Sequence, residues 1–359
     1  NTNYDSWQKE FKESQSENPE LEDLRKKMYT FDLPEDLEEQ LIKSLPEKDT
    51  ATRNLSGVVM QKIGELIPGV VGGSADLDPS TKTFLKAFPA VQSGSYEGRN
   101  FHFGIREHAM GSVNNGIALY GGFIPFGSTF LVFSDYMRPA LRLAAMMGIQ
   151  HINVFTHDSI YVGEDGPTHQ PVEQVNALRL IPNMTVLRPA DGYETALCWA
   201  MALRNHKGPS SLILTRQTVA ELERPDDLTY NDVQKGSYVI AAEKSNPVQV
   251  AIMTSGSEVE NSIKAKELLE ENGYSTRVIS IPSKEIFDKQ DDGYRRKILP
   301  EELKALVVVE AGTGVGWSTY FDIPLLKITI ERFGASAPFK VLQEKYGFTV
   351  EQLAERIEK

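Results

Sequence analysis

The chain has 359 residues, of which 40% are hydrophobic and 25% charged, and it carries a formal net charge of -12. That length exceeds a single hydrophobic core, because domains cluster near about 100–150 residues, so two compact units and an appendage are expected. No apolar run approaches the roughly 18–20 residues of a bilayer span, and the acidic balance argues against nucleic acid as a partner while leaving small phosphorylated substrates open.

Residues 1 to about 50 are dense in Glu, Asp and Lys, with Pro19, Pro34 and Pro46 breaking short helical patterns. They read as an interdomain linker, and their start lacks the basic and apolar regions of a secretory signal. From Ala51 to Thr215 helical and strand patterns alternate. A helix after Arg53 leads to strand GVVGG, and helices are expected from Arg106 and from Thr129. Strand HINVFTH, a helix from Gln170, strand MTVLRP, helix ETALCWAMAL and strand SSLILT complete the series. This alternation implies an α/β fold with a parallel sheet covered by helices on both faces, whose ligands lie beyond the C-terminal strand ends. The single cysteine, Cys198, sits among Ala196, Leu197 and Trp199, which predicts a buried helix face and excludes an intrachain disulfide framework. One cysteine suits a reducing, cytoplasmic setting.

The polar segment from Glu221 to Asp232 closes the first unit, 51–221. A second, smaller α/β unit, 235–359, contains strands QVAIMTSG, STRVISIP and ALVVVEAG. A helix is expected from Ser257, and Thr349 and Gln352 mark a final helix start at capping-box spacing. GTGVGW (312–317) follows a strand, but its G-x-G-x-G spacing is not that of a dinucleotide loop and reads as a tight turn.

Five of the six histidines fall between His102 and His169, alongside Glu107, Asp158, Glu164 and Asp165. GIREHAMG places Glu107 at a strand-to-helix transition, and THDSIYVGEDGPTHQP places His157 at a strand end before a Gly-rich loop returns to His169. Phe130, Phe133 and Tyr136 are spaced by three and so predict one helix face, a stripe more often core than site.

In this combination the sequence resembles the transketolase family over nearly its whole length. The motifs run in family order: ATRNLS, GGSADLDPS, FGIREHAMG, TFLVFSDY, THDSIYVGEDGPTHQP, LRPADG, LTRQ and RFGAS. The resemblance implies a pyrimidine-binding domain for thiamine diphosphate followed by the family's C-terminal domain. It assigns Glu107 to the aminopyrimidine ring nitrogen, where a held proton favours the tautomer that activates the thiazolium carbon. Phe130, Phe133 and Tyr136 become the aromatic wall of the cofactor site, with Leu77, Ile105 and Asp76 beside it. His157, Asp165 and His169 meet the sugar, His157 and His169 as catalytic groups and Asp165 as reader of the acceptor C2 hydroxyl. Arg53, Ser80, Arg216 and His169 bind the substrate phosphate.

The same resemblance implies ketol transfer between phosphorylated ketoses and aldoses by a homodimer. Mg²⁺ and the diphosphate would be held by a further domain, in the full-length protein or in a separate chain, and no metal site is expected among these residues, because GEDGP is not the arrangement that holds the metal. The relatives to be weighed are dihydroxyacetone synthase and the beta subunit of a 2-oxo acid dehydrogenase, and a non-catalytic dimerising fragment is the non-enzymatic reading. One position departs from the family: Tyr161 stands where glycine is expected, its phenol either narrowing the substrate channel or pointing outward.

Overall fold

The computed structural model describes residues 2–359, folded as two α/β units behind a helical N-terminal segment. That segment comprises α1 (Thr2–Glu17), α2 (Pro19–Thr30) and α3 (Leu37–Lys43). The first unit continues with α4 (Thr52–Leu66), β1 (Val70–Ser74), α5 (Asp78–Thr81), β2 (Asn100–His102), α6 (Glu107–Tyr120) and β3 (Ile124–Phe130). After a 3₁₀ turn at Leu131–Phe133 come α7 (Ser134–Met147), β4 (Ile152–Thr156), a second 3₁₀ segment at Ile160–Asp165, α8 (Gln174–Arg179), β5 (Thr185–Leu187), α9 (Gly192–Arg204) and β6 (Ser210–Leu214). The second unit holds α10 (Tyr230–Gln234), β7 (Tyr238–Ala241), β8 (Val250–Thr254), α11 (Glu258–Glu271), β9 (Thr276–Ser280), α12 (Lys284–Asp288), α13 (Asp292–Ile298), β10 (Ala305–Val309), β11 (Leu325–Ile328), α14 (Phe339–Tyr346) and α15 (Val350–Glu358).

The first sheet has strand order β2-β1-β3-β4-β6-β5 and every pairing is parallel. Its central strands are buried along their whole length because helices cover both faces. Alternation sends Val154, Leu212 and Leu214 to the core shared with α3, α4 and α9, and Phe155 and Ile213 to the core shared with α6, α7 and α8. Cys198 is fully buried on α9, and burial pushes its thiol pKa well up.

The N-terminal segment differs from a plain linker. Neither α1 nor α2 buries a residue, but α3 drives Leu37 and Leu41, one helical turn apart, into the first core. Glu38 on the same helix accepts a hydrogen bond of 2.8 Å from Nε of Arg204.

A second correction concerns the expected helix from Thr129. Thr129 and Phe130 end a buried strand, and the helix begins only at Ser134. Phe130, Phe133 and Tyr136 therefore lie on a strand end, a 3₁₀ turn and a first helical turn and not on one helix face. A 3₁₀ turn has about three residues per turn, which is why a spacing of three still brings the rings together.

The second sheet runs β11-β10-β8-β9-β7 and is parallel except for its edge strand β7. The capping box at Thr349 forms, with Gln352 N–H donating to Thr349 Oγ1 at 3.3 Å and Thr349 N–H donating to Gln352 Oε1 at 3.3 Å. The GTGVGW turn packs against the first unit: Thr313 N–H donates to the Val172 carbonyl at 2.9 Å, and Asn176 Nδ2 donates to the Thr313 carbonyl at 2.5 Å. Beside it a buried ion triad joins the units. Arg188 lies 2.7 Å from Asp158 through Nη2 and pairs through Nη1 with Glu258, each side chain 1% exposed.

Candidate active site

The sheet order defines where a ligand can sit. The chain places β2 on one side of β1 and β3 on the other, so the switch point lies between β1 and β3, and a crevice opens at their carboxyl ends. The candidate residues line that edge. Asp76 and Leu77 follow β1, Ser80 lies on α5, Ile105 and Glu107 follow β2, Phe130 ends β3, His157 follows β4 and Arg216 follows β6.

Glu107 opens α6, whose N-terminal dipole favours a carboxylate. It is 8% exposed and has no hydrogen-bond or ion-pair partner among the described residues. Its carboxylate oxygens are not among the fully buried polar atoms, so they face the crevice and are free to accept from a donor outside the chain. Ile105, two residues earlier, is 80% exposed and offers an apolar surface at the same edge.

Four rings form one cluster. Phe130 stacks on His157 with centroids 3.7 Å apart and on Phe133 at 5.9 Å. His169 meets Phe133 edge-on at 5.6 Å and Phe130 at 6.2 Å. Tyr136 extends the wall, 6.1 Å from Phe133, with its ring largely in the open.

His157 is buried, and its backbone is left-handed (φ 62°), as is that of Asp76 (φ 64°). Such backbone is uncommon away from glycine, although Asp and His tolerate it better than most residues, and here it turns both side chains off their strands at the edge. The imidazole pKa is lowered to about 3 by burial, then by the cations of Arg53 and Arg216 and by His169, so the ring is neutral at pH 7. Arg53 Nη1 lies 3.4 Å from His157 Nε2, and Thr156 Oγ1 lies 2.8 Å from Nδ1. A guanidinium can only donate, which assigns the ring proton to Nδ1 and makes Nε2 the acceptor of the Arg53 hydrogen bond.

Arg53 also donates from Nη1 to the Ser80 carbonyl at 2.9 Å, while its buried Nε has no partner. Burial, then repulsion from Arg216, lowers its pKa from the ordinary guanidinium value, partly offset by Asp165. Two guanidinium groups that repel each other across a cleft, one with an unused donor, make a receptor for an anion. Asp165 ends the second 3₁₀ segment and His169 lies on the loop after it, where Thr168 Oγ1 lies 2.9 Å from His169 Nδ1.

The structure thus brings together Arg53, Ser80, Phe130, Phe133, Tyr136, His157, Asp165, His169 and Arg216, whereas Glu107, Asp76, Leu77 and Ile105 share the sheet edge with no side-chain hydrogen bond or ion pair to that group among the described residues. Asp78, which was not singled out from the sequence, lies 3.7 Å from His102, with its carboxyl pKa raised by burial against the pull of that imidazole. Tyr161 does not line the cleft. It is 4% exposed within the apolar core of the second unit, where burial raises its phenol pKa well above the ordinary value. Both readings of that phenol, narrowing the channel or pointing outward, are therefore replaced by a packing role. Among the described residues no group of three or more His, Cys, Asp or Glu side chains is placed to hold a metal ion.

Comparison with known proteins agrees with this geometry. Residues 48–221 match the family model described as the pyrimidine-binding domain of transketolase, which gives the class of the first α/β unit. Residues 236–349 match the transketolase-like C-terminal domain. The chain belongs to the transketolase family. It is 44% identical over 357 residues to a transketolase of Aquifex aeolicus, covering 98% of this chain and 51% of that protein. The transketolase structure from Leishmania mexicana superposes with a TM-score of 0.89 at 38% identity, over 99% of this chain and 51% of that one. A structure described as a split gene transketolase, inactive beta4 tetramer, superposes with a TM-score of 0.70 at 25% identity, over 87% of this chain and 98% of that one. The chain spans about half the length of the curated relatives it matches.

Proposed function

We propose that this chain supplies the pyrimidine-binding and substrate-facing half of a transketolase active site, which transfers a two-carbon ketol unit between sugar phosphates in the cytoplasm. Residues 51–221 would form the cofactor-facing domain and 235–359 the C-terminal domain, with 1–50 leading into them. The observation that carries the reading is Glu107, buried, without a partner, and set at the same sheet edge as the Phe130 ring cluster.

Thiamine diphosphate fits these residues. Glu107 would accept a hydrogen bond from the protonated aminopyrimidine, and Phe130, Phe133 and Tyr136 would hold the ring by stacking, with Asp76, Leu77 and Ile105 alongside. When bound, the cofactor supplies the nucleophilic carbon that takes up the ketol unit. The remaining work falls to this chain's side chains. Arg53, Arg216, Ser80 and His169 would hold the substrate phosphate. Neutral His157 and His169 would meet the sugar hydroxyls, and Asp165 would read the acceptor C2 hydroxyl.

Mg²⁺ and the diphosphate would be held by a further domain, from a longer chain or a separate one, and the complete enzyme would be a homodimer of such pairs. A separate chain is supported by the split gene transketolase structure, which has nearly this extent. Calorimetry tests the proposal. This chain alone should bind thiamine diphosphate weakly or not at all. Addition of the diphosphate-binding domain should restore Mg²⁺-dependent binding and ketol transfer from xylulose 5-phosphate to ribose 5-phosphate. Restored activity that survives Glu107→Gln would defeat the assignment.

A further inference from the structure

The RFGAS turn (332–336) lies in the second unit and the Asp165 loop in the first, yet the two are interlocked. From Ile160 to Gln170 the chain has neither sheet partners nor a continuous helix, and its 3₁₀ segment is broken at Gly163 (φ 85°, ψ -125°). Besides local turns such as His169 N–H to the Gly166 carbonyl at 3.0 Å, contacts from the second unit hold it. Gln170, 2% exposed, donates from Nε2 both to the Gly163 carbonyl at 2.8 Å and to the Ala335 carbonyl at 2.9 Å. Ser336 Oγ donates to the Glu164 carbonyl at 2.6 Å. Ile160 and Tyr161 anchor the loop's start in the second unit's apolar core, against Phe339 and Ala337.

Gly334 completes the lock. A Cβ there would lie 1.7 Å from Gln170 Oε1, so a side chain at 334 would push the amide away from the two carbonyls it holds. The attachment points at 163, 164 and 170 lie on both sides of Asp165 and His169. We propose that the C-terminal domain is a positioning element of the substrate site, acting through Gln170 and the RFGAS turn to fix the loop that presents Asp165 and His169. This rests on the substrate-facing reading of those two residues. Misplacement of a binding group by about 1 Å can cost on the order of 100-fold in rate, so a loop lacking regular structure needs such an external brace.

Two measurements test it. In this chain, Gly334→Ala should accelerate amide hydrogen exchange across 163–169 while β4 keeps its protection. In the completed enzyme, Gly334→Ala and Gln170→Met should raise the acceptor KM by about 10-fold or more and erode discrimination between ribose 5-phosphate and its C2 epimer, with thiamine diphosphate affinity unchanged. If Gly334→Ala fails to fold, Ser336→Ala, which removes one hydrogen bond, should move the same readouts in the same direction. Unaltered exchange overturns the brace itself. Faster exchange with unaltered acceptor selection overturns its role in the site. An Asp165→Ala enzyme that keeps normal selection instead defeats the underlying substrate assignment.

Discussion

The imidazole of His157 stacks on the ring of Phe130 with centroids 3.7 Å apart, tying the proposed cofactor wall to the proposed sugar contact. An aromatic pair of this kind contributes about 0.5–1.5 kcal/mol beyond its buried area. Phe130→Leu should therefore weaken thiamine diphosphate binding in the completed enzyme by at least about 2–10-fold, and it should also raise the donor KM, because His157 loses its support. Isothermal titration and donor kinetics check both effects, and a variant altering only one of them would break the link.

Arg53 predicts a phosphate-specific defect. Hydrogen bonds to charged groups contribute about 1.5–3 kcal/mol, so Arg53→Gln should raise KM for phosphorylated acceptors by about 10–150-fold. Unphosphorylated acceptors should be nearly unaffected. Steady-state kinetics with ribose and ribose 5-phosphate measure the difference.

The Arg188 triad predicts a stability defect that needs no cofactor. Removing one partner from a buried ion network costs about 3–5 kcal/mol, because the remaining charges stay buried without compensation. Arg188→Met leaves Asp158 and Glu258 facing each other across the boundary of the two units. Urea unfolding of this chain should show that loss, and the two units should separate into distinct transitions if the triad is what couples them.

Two buried histidines set a pH dependence. Burial lowers the pKa of both His151 and His157 to about 3, whereas the unfolded imidazole titrates near 6.5. Between those values the unfolded chain binds more protons, so stability is fully present above pH 6.5 and is lost as pH falls toward 3, by at most about 1.4 kcal/mol per pH unit per imidazole. His151 is held by Asn115 Oδ1 at 3.1 Å and Asn114 Nδ2 at 3.3 Å, away from the site. In His151→Gln the slope of stability between pH 6 and 4 should be shallower than in the parent chain, as read from urea midpoints.

Much of the architecture was legible because it repeats locally. GVVGG, HINVFTH and SSLILT are short apolar runs between amphipathic segments, and they became β1, β4 and β6. IPFGSTF escaped because Pro125 and Gly127 dilute its strand character and the following aromatic spacing imitates a helix. The edge strand β7 and the short β11 carry too few residues to stand out from loops. Glu107 and His157 were readable from motif context, as was their place at strand ends. Gln170 and Gly334 were not, since they meet only in the folded chain and neither residue type signals a contact by itself. Tyr161 was visible as an anomaly, but its direction was set by Ile160 and the apolar face of the second unit, which a local reading does not contain.

The left-handed backbone at Asp76 sets cofactor binding against heat resistance. For a residue with a Cβ this conformation costs about 1–2 kcal/mol, most of which glycine would avoid. Asp76 is exposed, unlike His157, whose buried ring holds Phe130, so glycine there gives up no packing and should raise the melting temperature while removing a side chain from the cleft edge. Variants of this chain selected for thermal endurance alone are expected to change Asp76, and the ones that gain there should be the ones that bind cofactor least.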